Sequence, residues 1–207
     1  MADIRIDWTA CIASGGPELV ERISAARSEY SGMCAEYFDH IMSKQGKHSA
    51  FTESACGFIL LDSLLKKNGI DRRSLAIAIA PNGRPCVINR SDVDFSISHS
   101  EGAAMCCLAI GGDASVGADI QHVRRYSDER LEELSRTFME QREINSLLKG
   151  GSAEKTDMFY RAWTRRESCY KRCGQDRAPF PGTFTAGVIS SCGERYYYSI
   201  NIPENDD

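Results

Sequence analysis

The 207-residue chain has no excess of basic residues: 25 Lys and Arg stand against 29 Asp and Glu, a net charge of −4. That excludes an overall positive field of the kind that gathers nucleic acid. The cations present could still collect locally around a small anion. Long hydrophobic runs are missing too. Phe58-Ile59-Leu60-Leu61, the longest strongly apolar run near a helix, is far short of the ~20 residues of a membrane span. The opening Met1-Ala2-Asp3-Ile4-Arg5-Ile6-Asp7 alternates charge with apolar side chains and lacks the core of an export signal. A cytoplasmic protein without a membrane span is expected. The nine cysteines form no Cys-x-x-Cys pair and are odd in number, which argues against a disulfide framework. A zinc site would have to combine Cys169, Cys173 and a distant partner, a spacing unlike that of structural zinc. The cysteines read as reduced, mostly buried small hydrophobes. No repeat is present, and the acidic tail Glu204-Asn205-Asp206-Asp207 reads as frayed.

What is present is ordinary globular composition, 42% hydrophobic and 26% charged, on a chain long enough for one large domain or two small lobes. Ile4, Ile6 and Trp8 alternate with Arg5 and Asp7, a half-buried strand. Ser14-Gly15-Gly16-Pro17 reads as a helix start, with Leu19, Val20 and Ile23 on one face. Further helices are predicted over 33–42 and 49–67, the latter stopped by Asn68-Gly69. The period then changes. Strands are predicted over 75–79, 94–98, 103–110 and 116–120, with a turn at Pro81-Asn82-Gly83-Arg84-Pro85. Helices return over 128–138, 140–148 and 155–172, the last ended by Gly174. A hairpin around Ser191-Cys192-Gly193 closes the chain. This order predicts an α+β fold in two lobes, 1–113 and 114–207.

Four segments carry the chemistry. In the last long helix Phe159, Trp163 and Tyr170 share an arc of about 40°, with Glu167 about 40° from Trp163 and Lys171 one turn beyond it. A carboxylate beside aromatics needs a cation or donor to offset its desolvation. The pair reads either as a surface ion pair or as a carboxylate aimed into a cleft. In Val116-Gly117-Ala118-Asp119-Ile120-Gln121, Asp119 and Gln121 share one strand face. They offer hard oxygen ligands suited to magnesium, or else a turn cap and a solvent-facing amide. His99, placed just past a strand in Phe95-Ser96-Ile97-Ser98-His99-Ser100, can donate to phosphate with its hydroxyl neighbours, or be a loop histidine. Gly83-Arg84-Pro85 holds a guanidinium in a stiff turn, fit for phosphate or simply exposed.

In this order the four segments resemble the 4′-phosphopantetheinyl transferases, in the larger single-chain type that activates peptide and polyketide synthetases. The similarity covers about residues 75 to 187 and includes Pro179-Phe180-Pro181. It implies two similar lobes related by a pseudo-twofold axis, with coenzyme A and magnesium between them. It also implies the reaction: a serine of an acyl or peptidyl carrier protein attacks the β-phosphate of coenzyme A, takes the phosphopantetheine arm and releases adenosine 3′,5′-bisphosphate. By the matching motifs Glu167, Lys171 and His99 are the catalytic residues. Asp119 and Glu167 are magnesium ligands with Gln121 at the metal's edge. Arg84, Ser98, His99 and Lys171 bind coenzyme A. Neither nucleic acid nor membrane is expected as a partner, and a monomer is expected. The chain departs from the family's common pattern at Gln121, often Glu, at Arg166, often Lys, and at Gln175-Asp176, often Gly-Lys. The N-terminal third matches poorly, so no residue there is assigned to the 3′-phosphate. Two other readings stand beside this one: a non-catalytic module that binds coenzyme A or carrier proteins, and another magnesium-dependent phosphate-bond enzyme.

Overall fold

The computed structural model describes residues 4–13, 17–174 and 179–204. The chain runs β1 (Arg5–Ile12), α1 (Pro17–Arg27), α2 (Ala35–Met42), α3 (His48–Lys67), β2 (Ile77–Ile79), β3 (Pro85–Val87), β4 (Val93–Ser100) and β5 (Ala103–Ile110). It continues with β6 (Gly117–His122), α4 (Asp128–Ser135), α5 (Gln141–Leu147), α6 (Ser152–Cys173), β7 (Thr183–Ser191) and β8 (Glu194–Ile202). Among the described residues this is a mixed α/β fold with three antiparallel sheets, β1-β5-β4, β2-β3 and β6-β8-β7. No helix among them is long and apolar enough to cross a membrane.

Alternation explains how the two larger sheets are buried. On β5, Cys106 and Leu108 face a core with Phe58, Leu61 and Leu65 of α3 and Phe95 of β4. The opposite face, Ala103, Met105, Cys107 and Ala109, packs on Ala118 and Ile120 of β6 and on Tyr196 and Ile200 of β8. Buried on both sides, β5 reads as an unbroken apolar run. A third core joins Leu131 of α4 and Ile144 and Leu147 of α5 to Phe159 and Tyr160 of α6 and Tyr197 of β8. The layers are therefore helix, sheet, sheet, helix.

The two sheets also meet edge to edge, along a parallel row of side chain to backbone bonds. Asp94 Oδ2, Ser96 Oγ, Ser98 Oγ and Ser100 Oγ of β4 accept from the N–H groups of Val116, Ala118, Ile120 and His122, at 2.9, 2.9, 3.2 and 3.0 Å. Every second residue of β4 thus replaces a backbone carbonyl as the acceptor for β6. The buried amides are satisfied without the strands joining one sheet.

Several sequence expectations shift. The helix predicted from residue 33 opens as a 3₁₀ turn, Gly32–Cys34, capped by Ser31. The strand predicted from residue 75 starts two residues later, after the 3₁₀ turn Arg72–Ser74, capped by Asp71. Strand β3 was not foreseen; three residues give too short a pattern. Strands β5 and β6, consecutive in the chain, belong to different sheets. His99 lies inside β4 and not beyond it. The helix start at Ser14-Gly15-Gly16, the Gln175-Asp176 departure and the end of the acidic tail lie outside the described residues.

Candidate active site

Helix α6 is the site's backbone. The carboxylate of Glu154 accepts from Gly151 N–H at 2.9 Å at its start, and Gly174 adopts the left-handed conformation after its last turn. Its inner face carries the small polar residues Thr164 and Ser168, both buried. They let the helix lie close on β6: a Cβ on Gly117 would stand 1.9 Å from the carbonyl oxygen of Ser168. Ser168 Oγ meets Ser199 Oγ of β8 at 3.2 Å. This approach brings Glu167 and Lys171 over Asp119.

Asp119 is 2% exposed at its side chain. Its Oδ1 accepts from Lys171 Nζ at 2.7 Å and from Ser98 Oγ at 2.9 Å, and its Oδ2 from Gln121 Nε2 at 3.1 Å. Gln121 therefore turns its amide nitrogen to the carboxylate, which leaves its carbonyl oxygen directed elsewhere. Lys171 is bound to Asp119 and to Ser98 at 2.8 Å, across the seam and not along the helix. Burial raises the carboxyl pKa of Glu167, and the Asp119 charge raises it further, against the lowering effect of Lys171 and Arg166. Two carboxylates thus share one field. Among the described residues no group of three or more His, Cys, Asp or Glu side chains is arranged to hold a metal ion. That includes Cys169 and Cys173, whose sulfurs are 3.6 Å apart without a third partner of that kind.

Two cavities flank this centre and meet at His99. The first, about 260 Å³, is lined by His40 and Lys44, which close α2 and follow it, by Ser54 of α3, and by Arg84, His99, Glu167, Tyr170 and Lys171. Lys44 donates to Ser54 Oγ at 2.9 Å, and burial lowers its pKa. The second, about 510 Å³, is lined mainly by Glu53, His99, Gln121, Arg124 and the aromatics Tyr126, Phe159, Tyr160 and Trp163. The indole Nε1 of Trp163 is buried there without a partner. One cavity is cationic and the other aromatic.

The candidates differ in how free they are. Ser98 uses its proton on Asp119 and its lone pairs on Ile120 N–H and Lys171, so its hydroxyl is fully occupied by protein. Arg84, expected as a free guanidinium, is committed as well. Its Nη2 reaches both oxygens of Asp94, at 2.9 and 2.7 Å, and the carbonyls of Phe95 and Val116. It fastens the start of the seam, because Asp94 also holds Val116 N–H. Tyr170, placed by the helical period on the apolar face, is 40% exposed and lines the first cavity. His40, Lys44, Ser54 and Glu53 were missed. They lie on α2, just past it and on α3, far from the other segments; the i, i+4 spacing of His40 and Lys44 is the only local sign.

The segment that carries the carboxylates decides the kinship. Residues 115–203, with Asp119, Gln121, Glu167 and Lys171, match the sequence model of the 4′-phosphopantetheinyl transferase superfamily. Over this segment the chain is similar to these transferases. It is 28% identical over 120 residues to 4′-phosphopantetheinyl transferase Sfp of Bacillus subtilis (strain 168), covering 58% of this chain and 50% of that protein. It is 29% identical over 109 residues to 4′-phosphopantetheinyl transferase HetI of Nostoc sp., covering 51% and 44%. The chain spans about half the length of the curated relatives it matches. Arg84, Ser98 and His99 precede the segment matched to the transferase superfamily.

Proposed function

We propose that this chain transfers the 4′-phosphopantetheine arm of coenzyme A to a serine of an apo acyl or peptidyl carrier protein, releasing adenosine 3′,5′-bisphosphate. The observation that carries the reading is the paired Asp119 and Glu167, with Lys171 between β4 and β6, at the junction of a cationic and an aromatic cavity. Phosphoryl transfer needs positioning and charge neutralisation more than covalent help. This junction offers both.

The donor set suits magnesium: two carboxylates are hard ligands, and this ion retains water and takes substrate phosphate readily. Asp119 and Glu167 would hold it, with Gln121 at its edge, and the bound ion would neutralise charge building on the pyrophosphate. Glu167 accepts the serine proton. Lys171 and His99 hold phosphate oxygens. Lys44, just past α2, supplies a cation for the 3′-phosphate, and His40 of α2 a ring N–H donor beside it. Arg84 acts here by keeping the cavity wall in register, and Ser98 by positioning Asp119 and Lys171. The aromatic cavity takes the pantetheine end and the approaching serine. In this reading the lobes are 1–113 and 114–207, the enzyme acts as a cytoplasmic monomer, and the cleft lies between the two sheets and their helices.

Intact-mass measurement of apo carrier proteins of the fatty-acid, polyketide and peptide classes, incubated with the chain, coenzyme A and magnesium, tests this. A gain of one phosphopantetheine arm is expected on at least one. Binding of coenzyme A with no carrier modified would favour the non-catalytic module instead.

A further inference from the structure

Glu53 stands in the second turn of α3, remote in sequence from every segment described above. Its side chain is only 12% exposed. Oε2 is 3.0 Å from His99 Nδ1, and Oε1 accepts from Gly102 N–H at 3.0 Å. An ionised carboxylate only accepts, so His99 must present Nδ1–H to it. The remaining ring nitrogen, Nε2, is then the one left at the meeting point of the two cavities.

We propose that Glu53 is a positioning residue: by accepting from Nδ1–H it fixes the orientation of His99, so that Nε2–H of the imidazolium donates to the phosphates of coenzyme A. This rests on the reading that His99 holds phosphate. The side-chain type follows from the geometry. Two donors, Gly102 N–H and His99 Nδ1–H, converge on one group, and only a carboxylate offers an acceptor atom to each. A glutamine has one acceptor oxygen and must turn its NH₂ toward one of the two donors. The imidazole pKa lies below its usual value: burial lowers it most and Lys171 and Lys44 lower it too, while the Glu53 charge opposes them. Glu53 is thus the one of these neighbours that favours a proton on the ring.

The experiment is a double-mutant cycle on the full chain, read by calorimetric titration of coenzyme A into wild type, Glu53→Gln, His99→Ala and the double variant. Glu53→Gln is expected to weaken binding about tenfold, the lower range for loss of a group that orients a ligand-holding histidine, and to add nothing once His99 is alanine. Should His99→Ala leave affinity unchanged, or wild type fail to bind coenzyme A, the phosphate reading falls and the proposal falls with it. Should His99→Ala weaken binding while Glu53→Gln does not, only the proposal is overturned. An equal loss from Glu53→Gln in both backgrounds also overturns it, because Glu53 then acts on the fold and not through His99. If Glu53→Gln does not fold, ¹⁵N correlation of the neutral His99 ring in wild type decides. A proton on Nδ1 is expected, and a bare Nδ1 sinks the proposal.

Discussion

Lys171 of α6 donates to Asp119 of β6 at 2.7 Å, and the carboxylate it grips is almost sealed from solvent. An ammonium in that place satisfies a charge that would otherwise be buried without compensation. It also means that the helix neighbour Glu167 is left facing Asp119 with its own charge poorly offset. The site holds an electrostatic demand for a further cation, and coenzyme A with magnesium is the proposed answer to it.

Removing the charge of Glu167 should therefore stop transfer without unfolding the chain. Glu167→Gln keeps size and helix propensity, and turnover on an apo carrier is expected to fall by two or more orders of magnitude, as for a preorganised electrostatic group contributing ~3 kcal/mol. Asp119→Asn is expected to do the same. Near-normal rates from either variant would make these carboxylates structural.

Gln121 should matter less. Its Nε2 already serves Asp119, so Gln121→Ala is expected to lower turnover less than tenfold, whereas Asp119→Ala nearly abolishes it. Gln121→Glu adds an anionic oxygen and should lower the magnesium concentration at half-maximal rate. A metal titration at saturating coenzyme A measures both.

The cationic cavity predicts a selective binding defect. Lys44→Ala should weaken coenzyme A by about 1.5–3 kcal/mol, the contribution of one charge-assisted contact, and leave unphosphorylated pantetheine unaffected. Equal losses for the two ligands, seen by calorimetry, would remove Lys44 from the site.

Gly117 predicts a stability defect. Its missing Cβ would fall 1.9 Å from Ser168 O and 2.7 Å from Arg172 N, both backbone atoms of α6. Gly117→Ala must push the helix from the strand, at a cost of about 3 kcal/mol. A thermal melt should show a fall of roughly 6–12 °C.

Asp62 predicts a pH window. Burial alone would raise its pKa, but hydrogen bonds from Lys66, Arg72 and Tyr30 outweigh that and hold it below the usual 3.8. With the folded pKa lowered, its stabilisation is present above the unfolded value and lost as pH falls through the folded one. Asp62→Asn should thus destabilise at pH 7, and its melting temperature should converge on wild type below pH 3.8.

Local pattern revealed the elements that carry their own partners. The 3.6-residue period and Gly174 marked α6, and the apolar run Ala103–Ile110 marked β5 to the residue. Pattern failed where meaning depended on what lies opposite. Ser98 and Ser100 look like hydroxyls flanking a phosphate-binding histidine, and with Ser96 they are the acceptors that let β6 be buried. Arg84 looked free because Asp94, its partner, is ten residues away with a turn between. Glu53, His40 and Lys44 read in sequence like any solvated charge on or beside a helix; only the fold brings them to His99.

The joint along Asp94, Ser96, Ser98 and Ser100 has a genetic consequence. The donors and acceptors of a backbone ladder are common to every residue but proline, so substitution adjusts it only through the side chains alongside. A joint of hydroxyls is spelled out codon by codon. Each Ser→Ala change deletes one acceptor and strands one buried amide, loosening the cleft in a small, separate step. How tightly β4 holds β6 is therefore a graded trait that mutation can tune.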